Sequence, residues 1–141
     1  MAEHEGLLVY ADGAIGDGSV GTGVGAVVMD SSGRIVRWGN RRLDQMTNNE
    51  AEYAGLILAL ELAIPLKPKQ LCVCLDSAVV VGQMSGTCGI HARALQSWYR
   101  EACELARRLR RVTYRQIPRL KNRLADALAN EALAGRLLFG P

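Results

Sequence analysis

Long apolar runs are missing from this chain. Nothing in its 141 residues approaches the ~18–20 consecutive apolar positions that a membrane-spanning helix needs. The opening residues, Met-Ala-Glu-His-Glu-Gly, are acidic where a signal peptide is basic, and no long apolar segment follows. A cytoplasmic location is the expectation. Cysteine is sparse: Cys72, Cys74, Cys88 and Cys103, with no C-x-x-C pair and no zinc-ligand spacing. These read as free, buried thiols, a bridge from Cys88 or Cys103 to another cysteine being left open. Histidine is rarer still, with His4 near the start and His91 at the head of an expected helix. The chain has no Ser/His/Asp arrangement, no nucleophile elbow and no G-x-x-x-x-G-K-[ST] phosphate loop. Repeats and low-complexity segments are absent. Membrane proteins, disulfide-stapled scaffolds, zinc modules and serine hydrolases are thereby set aside.

What is present is an ordinary globular composition, 49% hydrophobic and 22% charged. A chain of this length can bury one core without staples. One domain over residues 1–141 is expected, with its core at about 7–134 and an apolar tail at 135–141. Leu137-Leu138-Phe139 of that tail is expected to dock on the body. The formal net charge of +3 conceals an asymmetry. Residues 93–123 hold 10 Lys and Arg against 2 Asp and Glu, a net of +8, and the segments on either side are net acidic. A basic segment beside an acidic remainder suits a polyanionic partner met by one face.

Hydrophobic patterning predicts strands at Leu7–Ala11, Val24–Met29, Arg34–Asn40, Gln70–Leu75 and Val112–Ile117. Helices are predicted at Glu50–Ala63, from Ser77 to about Met84, at His91–Arg110 and at Asn122–Ala134. The order implies an α/β fold. Its five-stranded mixed sheet has strands 1–3 antiparallel and strands 4 and 5 parallel, flanked by helices. Gly16-Asp17-Gly18-Ser19-Val20-Gly21 matches a dinucleotide-loop pattern, but it runs into a strand rather than opening a helix. It reads as a tight connection between two strands.

Four carboxylates occupy unusual places. Asp12 and Asp76 follow apolar strands, where open α/β sheets place ligands. If those strands are neighbours, the two acids repel unless a cation lies between them. On the first helix, Leu56, Ala59 and Ala63 fall within about 40° of Glu52 at 100° per residue, so Glu52 sits on the core stripe. Glu50 and Glu61 fall on the opposite, solvent side. A carboxylate on a core stripe is costly unless paired or bound to metal. Asp126 shares a helix face with Asn122 and Asn130, a polar stripe that alone reads as solvated. Four such acids on separate elements resemble an oxygen-rich site for hard divalent cations, suited to two-metal phosphoryl transfer.

Tyr10-Ala11-Asp12-Gly13-Ala14, Thr47-Asn48-Asn49-Glu50-Ala51-Glu52-Tyr53, Leu75-Asp76-Ser77 and Asn122-Arg123-Leu124-Ala125-Asp126-Ala127-Leu128-Ala129 together resemble the four signatures of type 1 ribonuclease H. The resemblance spans about residues 7–134, in order. It implies a ribonuclease H-like fold and a Mg²⁺- or Mn²⁺-dependent endonuclease acting on the RNA strand of RNA–DNA hybrids. The implied products carry 5′-phosphate and 3′-hydroxyl ends. It implies metal-binding catalytic acids at Asp12, Glu52, Asp76 and Asp126, and substrate contacts at Gly13, Thr47, Asn48, Asn49, Ser77, Arg119 and Asn122. Among these, the threonine would help hold a DNA phosphate and the asparagines of Thr47-Asn48-Asn49 would meet the minor groove.

The chain departs from the family pattern at three points. The stretch before Asp126, Ile117-Pro118-Arg119-Leu120-Lys121-Asn122, lacks the histidine many members carry, leaving Arg119 or Lys121 as partial substitutes. Ala78 stands where some members have a substrate-contacting glutamine. The segment at 84–92 is too short for the inserted basic protrusion of others. On the long helix, Leu95, Trp98, Ala102, Leu105 and Leu109 form a core stripe. Arg93, Arg100, Arg107 and Arg111 lie opposite, as a phosphate-tracking face or a plain solvated one. No protein partner is implied, and a monomer is expected. Two alternatives stay open: a nuclease of this fold that also cleaves double-stranded RNA, and a non-catalytic nucleic-acid binding module.

Overall fold

A computed structural model describes residues 4–17 and 20–141. Strand β1 (Gly6–Ile15) is antiparallel to β2 (Thr22–Asp30), and β2 to β3 (Ile35–Leu43). The β2–β3 hairpin closes on Asp30, whose Oδ1 accepts from the N–H groups of Ser32 and Arg34, each at 3.0 Å. Helix α1 (Asn48–Ala63) leads to β4 (Gln70–Leu75), then α2 (Ala78–Met84) and α3 (Arg93–Ala106). Strand β5 (Val112–Gln116), helix α4 (Arg123–Leu133) and a two-residue strand β6 (Phe139–Gly140) complete the order.

The sheet runs β5-β4-β1-β2-β3-β6, with β4 parallel to both β1 and β5. The mixed topology matches the expectation, but the sheet has six strands, not five. The sixth comes from the tail. Asn40 pins it: Asn40 Oδ1 accepts from Leu138 N–H, and Asn40 Nδ2 donates to the Arg136 carbonyl at 2.9 Å. Backbone pairing thus docks the tail. Its apolar side chains do not: Phe139 is 83% exposed and Leu137 61%.

The first strand runs on past the predicted Ala11 to Ile15, and β2 begins at Thr22. Gly21 leads straight into β2, so the glycine-rich match opens no helix. Gly18 and Ser19 of that match lie outside the described residues. All four cysteines are free, but only Cys74 is buried; Cys72 and Cys103 are half-buried and Cys88 is exposed. Among the described residues, no helix is long and apolar enough to cross a membrane.

One sheet face carries Leu7, Val9 and Ala11 of β1, Val24, Ala26 and Val28 of β2, and Leu71, Val73 and Leu75 of β4, all buried. Helix α1 lies on this face. It is buried round most of its circumference, because α3 covers its outer side through Leu95, Ala102 and the half-buried Trp98. A helix enclosed in this way has no single core stripe. Glu61 is exposed and pairs with Arg41 at 3.2 Å, as its angle implies. Glu50 departs from expectation, being half-buried: it closes the Thr47 capping box and accepts a bond from Trp98 Nε1 at 3.0 Å.

Helix α4 lies on the other sheet face. Its contact surface is Ala125, Ala129 and Ala132, all fully buried. Beneath it, a Cβ on Gly23 would stand 2.0 Å from the Ala129 carbonyl oxygen, and one on Gly25 2.5 Å from that of Ala125. Glycine is required there for close approach. The resulting proximity brings the head of α4 down to the carboxyl end of β4.

Candidate active site

Close approach also builds the other half of the site. Helix α1 crosses β1 where a Cβ on Gly13 would meet the Ala51 carbonyl oxygen at 2.6 Å, and one on Gly55 the Asp12 carbonyl oxygen at 2.9 Å. This crossing lays Glu52 against the outgoing end of β1. The parallel pairing of Tyr10 with Cys74 brings Asp12 beside Asp76, just past the end of β4. Ligand oxygens of Asp12, Glu52 and Asp76 all lie within 4.8 Å of one another. Asp126, from α4, is not part of that trio but lies close enough for its carboxyl to help raise the Asp12 pKa. Its Oδ1 also accepts from Asn130 Nδ2 at 3.3 Å. Of the stripe that read as a solvated helix face, Asn122 and Asp126 are turned toward the acids, and Asn130 stays exposed.

The electrostatics follow from this crowding. Burial, then the charges of Glu52 and Asp76, push the Asp12 carboxyl up to about 9, against the pull of the Gly13 N–H. Burial and the Asp76 charge push Glu52 up to about 7, with the Asp12 and Gly13 hydrogen bonds and the Arg119 charge acting in the opposite sense. Gly13 N–H is shared between Asp12 Oδ1 at 3.0 Å and Glu52 Oε1 at 3.2 Å. Glu52 Oε2 is buried with no hydrogen-bond partner. A buried carboxylate oxygen with no donor, beside two further acids, is the arrangement a divalent cation satisfies.

The remaining sequence-derived positions divide into two groups. Asn48 and Asn49 are exposed at the head of α1, and Arg119 is exposed in a short 3-10 turn, Arg119–Lys121. The others are engaged in the protein. Thr47 caps α1, and Ser77 caps α2 by accepting from Val80 N–H at 3.2 Å. Asn122 is 1% exposed. Its Nδ2 donates to the Ala11 carbonyl at 2.8 Å and to Asp76 Oδ2 at 3.1 Å, so it ties the two acid-bearing strand ends together. Its Oδ1 is a second buried oxygen without a partner.

Asn122→Ala is expected to leave the chain folded while weakening divalent-metal affinity about 10–100-fold, the usual cost of losing an outer-shell support. Calorimetric titration with Mg²⁺ or Mn²⁺ checks this.

Gly55 and Gly23 escaped the sequence reading as site-building residues. The signal for Gly55 was available: a glycine inside an Ala/Leu helix is unfavourable unless something must come close.

Comparison with known proteins agrees with this geometry. Residues 10–132 match the family model described as "Reverse transcriptase-like". The N-terminal RNase H domain of Rv2228c from Mycobacterium tuberculosis is 34% identical and superposes with a TM-score of 0.87, covering 94% of this chain and 96% of that one. RNase H1 from Halobacterium salinarum is 34% identical with a TM-score of 0.87, covering 92% and 98%. LC11-RNase H1, solved in complex with an RNA/DNA hybrid, is 28% identical with a TM-score of 0.84, covering 92% and 97%. The fold and its match to these structures define a ribonuclease H-like protein. The chain belongs to the type 1 ribonuclease H family, within the reverse transcriptase-like group. It spans 35% of the full length of Rv2228c and 62% of that of Halobacterium ribonuclease HI.

Proposed function

We propose that this chain is a metal-dependent endonuclease that hydrolyses the RNA strand of RNA–DNA hybrids. The observation that carries the reading is the Asp12–Glu52–Asp76 cluster with its unpartnered Glu52 oxygen, on the fold of ribonucleases H. Asp12, Glu52, Asp76 and Asp126 would hold Mg²⁺ or Mn²⁺, and two such ions would activate water and neutralise the leaving oxygen. Raised carboxyl groups support this, because cations are what would let these acids ionise together at neutral pH. The Gly13 N–H and Asn122 hold Asp12, Glu52 and Asp76 in place before substrate arrives. Arg119 brings positive charge to the rim of the acids, where it would meet the phosphate being cleaved or its leaving strand.

Asn48 and Asn49, exposed in the first turn of the helix that carries Glu52, would read the shallow minor groove. Selection of RNA would then rest on the 2′-hydroxyl rather than on base identity. In-line attack by water leaves 5′-phosphate and 3′-hydroxyl ends. The test is cleavage of end-labelled RNA–DNA hybrid, RNA–RNA, DNA–DNA and single strands with Mg²⁺ or Mn²⁺. Hybrid-restricted cleavage is expected. Equal cleavage of RNA–RNA would broaden the substrate, and no cleavage of any would leave a binding module.

A further inference from the structure

We propose that the sheet face turned away from α1 and α3 carries a basic furrow that binds a single nucleic-acid strand running on from the acidic site. Strand alternation sets its floor. Leu8, Tyr10 and Asp12 share one side of β1, and Cys72, Cys74 and Asp76 the same side of the β4 line. The β4–β5 register adds Thr113 and Arg115. Helix α4 packs over β1, β2 and β3, so it leaves the β4–β5 side of this face open.

Two hollows mark the furrow. One, about 180 Å³, has Tyr10 at its base and Lys121 and Arg123 at its rim. The other, about 340 Å³, has Cys72 and Thr113 at its base and Arg111 at its rim. Arg115 lies between them, close enough for its charge to act on both Tyr10 and Cys74.

The placement of Arg111 corrects the sequence reading. Helix α3 ends at Ala106, so Arg111 belongs not to a helical arginine face but to the approach to β5. On α3 itself Arg93 and Arg100 are followed by Glu101 and Glu104, and its C-cap Arg107 bonds Glu104 at 2.7 Å. Among the described residues, Arg111, Arg115, Lys121 and Arg123 form no ion pair. Of the carboxylates that border the furrow, Asp30 is held by its own turn and Asp76 by Asn122.

Exposed cations gathered along one face favour an extended anion, and a neutral floor of Tyr10, Cys72 and Thr113 suits sugar and base. The furrow's upper end abuts Asn122, which holds Asp76. A strand leaving the acids therefore meets Lys121 and Arg123 first, then Arg115 and Arg111. The proposal rests on the nuclease reading only in assigning the furrow to the substrate's own strand.

The test is fluorescence anisotropy in EDTA, where no cleavage intervenes. A 12-base-pair RNA–DNA hybrid is compared blunt and with a ten-nucleotide single-stranded extension placed on each end in turn. At least one extension should tighten wild-type binding about tenfold. Arg111→Glu/Arg115→Glu should lose that gain, bind the blunt hybrid as before, and show a salt slope lower by about 1.4 on the extended one. Both side chains are exposed, and Arg111→Gln/Arg115→Gln provides a milder second variant should charge reversal impair folding. No gain from any extension in the wild type, or an undiminished gain in the folded variants, overturns the furrow. Failure of the nuclease reading shows separately, as no cleavage of blunt hybrid by the wild type with Mg²⁺ or Mn²⁺.

Discussion

Asp12→Asn is expected to abolish metal-dependent cleavage, by roughly three orders of magnitude or more, while leaving the metal-free protein at least as stable as the wild type. Both halves follow from one feature. Asp12 is 5% exposed and shares its surroundings with three other acids. An amide of the same shape keeps the bond from Gly13 N–H to Oδ1 but carries no charge.

The stability half depends on pH. The Asp12 pKa is raised in the folded state, so its contribution is complete below the ordinary carboxyl range and is lost as pH rises through about 9. Glu52 adds the same trend through about 7. The metal-free wild type should therefore lose melting temperature between pH 6 and 10, and the variant should lose less. Mg²⁺ should raise the wild-type melting temperature more at pH 9 than at pH 6, because bound protons must leave before the cation enters. Calorimetry at several pH values, with and without metal, checks this. A variant that stays active, or that melts well below the wild type at pH 9 without metal, contradicts it.

Gly23→Ala is expected to lower the melting temperature by about 10 °C. An added methyl at 2.0 Å from the Ala129 carbonyl oxygen meets backbone on a helix, not a movable side chain. Overpacking of this kind costs about 3 kcal/mol, and a domain of this size loses roughly 3–4 °C per kcal/mol. Relief comes only by lifting α4 from β2, and α4 carries Asp126. Cleavage measured well below the melting point should therefore fall as well. Thermal denaturation followed by circular dichroism gives the first number, and a melting temperature within about 2 °C of wild type would refute the packing argument.

Three of the four acids were legible in the sequence because each breaks a local rule. Asp12 and Asp76 interrupt or end apolar strands, and Glu52 sits among Ala and Leu. The strand directions were legible because the hairpin signal at Asp30–Gly33 and the helical crossovers leave few alternatives. What could not be read depends on contacts between distant elements. Asn122 shows only as a polar residue before a helix, yet the structure buries it between two strand ends. The tail looked like an apolar anchor, but what holds it is Asn40, nearly a hundred residues away. The long helix was extended to Arg110 by its apolar spacing, while the chain turns at Arg107 to enter β5. Arg111 consequently lies on a face that helical periodicity cannot reveal.

Helix α4 is nearly the last element of the chain, and the residues it must meet lie on β1 and β2, among the first. The acid cluster is therefore drawn from elements far apart in the sequence, with Asp12 on β1 and Asp126 on α4. During synthesis, a chain that has emerged only as far as β5 lacks the fourth acid and the Asn122 clasp, however well β1–β5 have paired. Catalysis would thus switch on after those strands, with the docking of one late helix. Recovery of cleavage during refolding would time that docking directly, separately from the return of strand and helix signals.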